Sequence, residues 1–227
     1  MSDQKLDTQV RKEQIAEAAL ALLASQGLGR LSIAAVARRV GLVPSGIYRH
    51  FSGKDEMLEA VLGLLERRIG EILEAAEQAT RDPLERLRKV LMGHVRFIRE
   101  GRAIPRVIFA DDGGKLSPTI RARVIEILQG YLGRVAEFIT QGQEQGAVRP
   151  ELDPQTLALM FFGIVMPAGI LWHLTDGGFD ATKHAERAWQ VYSEAIQAPT
   201  TYHLLAKNVN PGSQHARVNE GSPGERQ

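Results

Sequence analysis

The 227-residue chain contains no cysteine. Disulfides, thiolate nucleophiles and thiolate metal sites are thereby excluded, and the composition suits a reducing cytoplasm. Aromatic residues are scarce, at 6%, and no run alternates apolar and polar residues for long enough to build a sheet. Long apolar runs are missing too. The stretch "LALMFFGIVMPAGILW", Leu157 to Trp172, spans 16 residues, under the roughly 20 needed to cross a bilayer. It carries Gly163, Pro167 and Gly169 and no basic flank, so it reads as a buried helix, and no membrane partner is expected. The opening "MSDQKLDTQVRKEQ" is polar and contains acids, unlike a secretory leader. There is no phosphate loop, no G-x-S-x-G and no H-E-x-x-H. His94, His173 and His184 share no metal-ligand spacing, and Asp111-Asp112 stands in a glycine turn, where adjacent acids are solvated. Neither an enzyme nor a bound cofactor is expected.

Net charge is also lacking, at +1, but it is unevenly spread. Met1 to Lys54 holds eight Lys/Arg against four Asp/Glu, or +4, leaving 20 against 23, or −3, for the remainder. Between Arg30 and Lys54 there are five basic residues and no acid. A small basic head on a mildly acidic body fits a polyanion-binding module joined to something else.

What is present is helical periodicity. Ile15, Ala18, Ala19, Leu22 and Leu23 fall on one helical face, and Gly27 ends that helix. Ser32 caps a second, short helix. The pattern Ser52-x-x-Asp55 resembles a capping box at the head of a long amphipathic helix. Asp82-Pro83, Ser117-Pro118 and Asp153-Pro154 each place an acceptor before a proline at N1, predicting helices over 83–100, 118–144 and 154–173. Further helices are predicted over 180–197 and 104–110, giving an all-α fold of about nine helices. The tail 207–227, rich in Pro, Gly, Ser and Asn, is expected to be disordered.

"SIAAVARRVGLVPSGIYRHFSGKDEML", from Ser32, holds two short helices about Gly41, a helix-turn-helix pattern. Val36, Ala37, Val40 and Ile47 suit close packing of the two helices, and Pro44 suits the first turn of the second. The outward face presents Ser45, Gly46, Tyr48, Arg49 and His50, good partners for phosphates and base edges. Phe51 plugs the core, and Lys54 stands at the next helix start. Tyr48 has a second reading as cover for the core edge, and Ser32 as no more than a cap.

The Val36-Ala37 pair ahead of Arg38-Arg39, Gly41, the Tyr48-x-His50-Phe51 run and Lys54 followed by acids resemble the DNA-binding signature of the tetracycline-repressor (TetR/AcrR) family. The resemblance covers about 45 residues, and the helical remainder follows the family in helix order and length only. It implies a homodimer with a three-helix DNA-binding head, residues 8–53, and a ligand-binding, dimerising body, residues 54–200. Such dimers bind palindromic operators in double-stranded DNA, and a small-molecule effector alters the spacing of the heads. By the same carry-over, Ser32, Tyr48, His50 and Lys54 hold phosphates, Pro44, Ser45, Gly46 and Arg49 lie nearest the bases, and Arg38 is a further backbone contact. Two positions depart from the family pattern: Val43, where a capping Ser or Thr is usual, and Gly46, where a Thr, Ser or Ala often reaches a base.

In the body, Phe97, Ile98, Phe109, Phe138, Met160, Phe162, Met166 and Trp172 are candidate cavity walls, each with ordinary core as its alternative. His94, Arg106 and His173 are the candidate polar groups, Arg106 suiting an anion. The last two long helices are expected to form the dimer face, anchored by Trp189 and Tyr192. The expected function is a repressor relieved by a largely apolar ligand. A ligand-independent DNA-binding protein or an activator of the same fold are the alternatives.

Overall fold

Oxygen acceptors placed at helix starts set most of the architecture. In the computed structural model, which describes residues 2–100 and 116–199 (side chains of 2–7 excepted), Asp82 accepts from the amides of Leu84 at 2.9 Å and Glu85 at 3.1 Å. Ser117 accepts from Ile120, Asp153 from Thr156 at 2.7 Å and Asp180 from Lys183 at 2.9 Å. Each satisfies amides that a helix leaves open at its start, worth about 1 kcal/mol apiece.

Among the described residues there are eight α-helices: α1 Ser2–Gln26, α2 Ile33–Val40, α3 Pro44–Ile47, α4 Lys54–Ala79, α5 Pro83–Arg99, α6 Pro118–Glu144, α7 Pro154–Leu174 and α8 Ala181–Ile196. A 3₁₀ turn, Leu28–Arg30, follows α1. The fold is all-α. The predicted helix over 104–110, the Asp111 turn and the tail 207–227 lie outside the described residues. The capping box at Ser52 does not form. Gly53 holds the N-cap position without a side chain, and Glu56, one residue beyond the expected acid, accepts from the Ser52 amide at 2.6 Å. That amide bond is the main reason the Glu56 carboxyl titrates below its usual range, with Lys12 at 3.4 Å adding to it.

Two cores result. The head core gathers Ile15, Ala19 and Leu23 of α1, Val36 and Ala37 of α2, Ile47, Phe51 and the first half of α4 from Met57 to Leu65. The body core gathers Leu73 and Ala76 of α4, Leu87 and Leu91 of α5, Val135 to Ile139 of α6, and the inner faces of α7 and α8. Ile69 and Ile72 of α4 pack against both. Ion pairs brace α4 on two sides: Glu13 and Glu17 of α1 hold Arg67 and Arg68, while Arg123 of α6 holds Glu59 and Glu66.

By length and composition α7 could cross a membrane, yet it packs on α5, α6 and α8, with Leu157, Phe161 and Val165 facing the core. Its other face, Leu159, Met160, Gly163, Pro167, Ile170 and Leu174, is exposed and uncharged at near-heptad spacing. Tyr192 of α8 turns inward instead: it is buried, and its hydroxyl donates to the Leu157 carbonyl at 2.9 Å.

α5 packs tightly on α4 at Gly93, where an added Cβ would lie 2.6 Å from Ile72 Cγ2. Gly130 of α6 has open space at that position. Alanine gains about 1 kcal/mol over glycine inside a helix, whereas overpacking costs about 1–3 kcal/mol. Urea unfolding is therefore expected to show Gly130→Ala stabilised by about 1 kcal/mol and Gly93→Ala destabilised by up to about 2 kcal/mol. The reverse order would refute this crossing.

Candidate functional site

The head presents its polar residues because the turn between α2 and α3 is closed by local chemistry. Ser32 caps α2 by accepting from Ala35 at 3.2 Å, and Gly41 ends it at φ 72° and ψ 29°, the left-handed region where a side chain would be strained. Val43 stands at the N-cap of α3 with no side-chain bond. α3 spans four residues, and hydrogen-bonded turns carry the chain on: the amides of His50 and Phe51 donate to the Ile47 carbonyl at 2.9 and 3.0 Å. Ile47 and Phe51 are buried, which fixes the face left outward.

On that surface Ser32, Arg38, Pro44, Ser45, Tyr48 and Arg49 are exposed, while Gly46, His50 and Lys54 are half-buried. Tyr48 is 58% exposed. A Cβ added at Gly46 would meet only the Leu42 side chain at an ordinary 3.5 Å, so packing does not impose glycine there. Lys54 Nζ donates to the Leu28 carbonyl at 3.2 Å and so ties the start of α4 to the 3₁₀ turn. Ser32 is likewise a cap, as either reading of it requires. The Nδ1 of His50 is buried without a partner among the described residues.

The second candidate site is a cavity of about 50 Å³ where four helices meet. α4 contributes Leu62, Leu65 and Ile69, and α5 His94 and Ile98. α6 contributes Val124, Ile127, Leu128 and Tyr131, and α7 Phe162, Val165 and Met166. His94 is 3% exposed and Tyr131 7%, their rings meeting edge to face at 5.3 Å. Both nitrogens of His94 and the Tyr131 hydroxyl lack hydrogen-bond partners among the described residues. Burial lowers the His94 pKa to about 4, so the imidazole is neutral at pH 7, and burial pushes the Tyr131 phenol well above its ordinary range.

Four sequence candidates, His94, Ile98, Phe162 and Met166, line this cavity. Others do not, for identifiable reasons. Phe97 is rotated about 100° from Ile98 on α5 and packs into the head core. Phe138 lies two turns beyond Tyr131, with the guanidinium groups of Arg86 and Arg134 over its ring at 5.0 and 5.4 Å. Met160 is on the exposed stripe of α7. Trp172 stacks on the Gly177 turn, and His173 is half-buried in the last turn of α7. Arg106 and Phe109 lie outside the described residues. Tyr131 escaped sequence reasoning, although its spacing from Val124, Leu128 and Val135 puts it on the apolar stripe of α6.

The family model "Bacterial regulatory proteins, tetR family" matches residues 15–61, and "Tetracyclin repressor-like, C-terminal domain" matches residues 80–196. The chain belongs to the TetR family. TetR-family proteins are DNA-binding transcriptional regulators rather than enzymes, and the basic helix-turn-helix head described above is the DNA-binding part. Among curated relatives of this TetR-family chain, the HTH-type transcriptional repressor KstR2 of Mycobacterium tuberculosis (strain ATCC 25618 / H37Rv) is 27% identical over 173 residues, covering 75% of this chain and 85% of the relative. Among solved structures, FadR from Bacillus subtilis in complex with stearoyl-CoA superimposes with a TM-score of 0.68 at 23% identity, covering 81% of this chain and 98% of the other. AibR in complex with isovaleryl coenzyme A and operator DNA gives 0.64 at 22% identity, covering 80% and 97%.

The buried imidazole of this TetR-family chain makes stability depend on pH. Its folded pKa, about 4, is below the ordinary value of 6.5, so the unfolded state binds the extra proton between those values. Stability is full above pH 6.5 and is lost as pH falls toward 4. From pH 7 to pH 5 this one group accounts for roughly 2 kcal/mol. Urea unfolding at both pH values is expected to show His94→Phe losing less stability than wild type by about that amount. Parallel losses would show that the ring is not buried neutral.

Proposed function

We propose that this chain is a homodimeric repressor that leaves a palindromic operator when an acyl thioester enters the body cavity. The observation that carries the reading is the position of α4. Leu62, Leu65 and Ile69 wall the cavity, while Met57, Leu58 and Val61, on the same helix, are part of the head core. A cavity of about 50 Å³ holds a few waters but falls short of the roughly 300 Å³ at which ligand pockets begin. A ligand must displace its walls, and a displaced α4 takes the head with it. FadR with stearoyl-CoA and AibR with isovaleryl coenzyme A support a thioester as the effector.

For two heads to enter successive major grooves they must stand about 34 Å apart. A ligand that favours another spacing by about 3 kcal/mol lowers operator affinity about a hundredfold. The uncharged stripe of α7, with Val191 and Ala195 exposed on the neighbouring α8, is the surface we assign to the partner subunit. Tyr48, His50, Ser32 and Arg38 are assigned to phosphates, and Ser45 and Arg49, with Pro44, to bases. Lys54, already bound to Leu28, adds charge to the same edge. The protein would act in the cytoplasm, where its operator is.

Selection of bound sequences from random duplex DNA would supply the operator, and fluorescence anisotropy would then follow release by a series of acyl-CoAs. Loss of the complex at micromolar thioester is the expected result; an operator complex indifferent to the whole series would defeat the effector reading. With that probe, Tyr48→Ala should weaken binding to all sequences alike and leave the salt slope unchanged, since a phenol displaces no counterion, whereas Arg49→Ala should relax one base position per half-site. An unchanged base preference in Arg49→Ala would remove it from the readout. Sedimentation should show wild type as a dimer and Leu159→Glu as a monomer that binds operator at least tenfold more weakly, since one charge interrupts the stripe. A dimeric Leu159→Glu would place the interface elsewhere.

A further inference from the structure

The two polar side chains that line the cavity among the described residues specify more about the ligand than its apolar walls do. His94 and Tyr131 come from facing helices, α5 and α6, and three of their polar atoms are buried without partners among the described residues. Most buried polar atoms in native proteins are hydrogen-bonded, so three orphans at one cavity wall call for an explanation. Neither ring is needed there for packing alone, because Phe at either position would fill similar space without orphaned atoms. The empty protein tolerates a deficit that a ligand with the right acceptor would reduce, by pairing the imidazole N–H and the phenol O–H.

That chemistry follows from counting donors and charges. A neutral imidazole has one N–H donor and one acceptor, and a phenol has one O–H donor that also accepts. Among the described residues no Lys or Arg lines the cavity. From these walls a carboxylate would draw no counter-charge, and an unpaired charge is strongly disfavoured in apolar surroundings. A carbonyl oxygen has two lone pairs and no charge, and it can accept from the imidazole N–H and the phenol O–H together. We propose that His94 and Tyr131 form a neutral clamp for the carbonyl oxygen of an otherwise apolar ligand, so that the protein distinguishes a thioester or ketone from the corresponding free acid. Met166 and the leucines of the walls, all unbranched at Cβ, can change rotamer to widen the cavity around the rest of the ligand. The inference rests on the reading of this cavity as the effector site.

Two ligand sources share this carbonyl chemistry, acyl thioesters and steroid ketones, and the test separates them. Isothermal titration calorimetry on the full chain would compare lauroyl-CoA, its thioether analogue with CH₂ in place of the carbonyl, and laurate. A 3-ketosteroid and its 3-deoxy analogue would form a second arm. The expected result is that, in whichever arm binds, the carbonyl compound is at least about tenfold tighter than its carbonyl-free partner, the factor for one net hydrogen bond. Tyr131→Phe should bring that ratio to within about threefold. The same variant should also melt higher than wild type when empty, since it deletes an orphaned hydroxyl without opening a hole. Equal binding of thioester and thioether in wild type would overturn the clamp while leaving the effector cavity intact, and so would laurate binding as tightly as lauroyl-CoA. Failure of every compound to bind, with Tyr131→Phe melting lower, would overturn both readings and give the pair a purely structural role.

Discussion

One helix is buried in two cores at once, and most of what this protein can do depends on that. The first half of α4 belongs to the head, its second half to the body, and Ile69 and Ile72 to both. Interiors packed at crystal-like density do not deform continuously, so a helix shared by two of them moves as a rod or not at all. The ion pairs along it act in the same sense. Glu13 and Glu17 hold it to α1, and Arg123 holds two of its carboxylates from the α6 side. Surface pairs of this kind contribute little stability singly, but they resist sliding and rotation. In the proposed mechanism, a change of volume near Leu62 and Leu65 would be delivered to the head as a change of orientation.

What was legible in the sequence was what is decided locally. An acid or serine before proline begins a helix whatever surrounds it, and Asp82, Ser117 and Asp153 behave accordingly. Gly41 adopts the left-handed conformation for the same local reason. The outward face of the head followed from burying Ile47 and Phe51. Ser52 shows the limit of local reasoning, because one residue of register separates Asp55 from the acid that makes the bond, Glu56. The cavity was less legible, since its walls depend on which faces of four helices meet. His94 and Ile98, four residues apart, share a face, and Phe97 between them does not. Phe138 resembled a ligand contact by composition alone, yet two arginines occupy its ring faces. Tyr131 was not singled out in the sequence, because its hydroxyl's lack of partners can be seen only once the helices are in place.

Val43 leaves the reading helix without a side-chain cap, and α3 has four residues before it gives way to turns. A missing cap weakens a helix by about 1 kcal/mol, which is large against the stability of so short an element. α3 is consequently held less by its own hydrogen bonds than by Ile47 and Phe51 beneath it. The side chains proposed to read bases sit on a surface whose shape is set by the head core, and the same core includes α4.

The exposed stripe of α7 has one more consequence. Leu159, Met160, Ile170 and Leu174 are exposed in a single copy of the chain, and in the proposed dimer a second copy would cover them. Folding stability and operator occupancy would then both rise with the number of molecules in the cell, because mass action links them through one surface. A gene controlled by this protein would respond to dosage as well as to ligand: below a threshold of synthesis, the regulator would be scarce, less stable and off its site, all for the same reason.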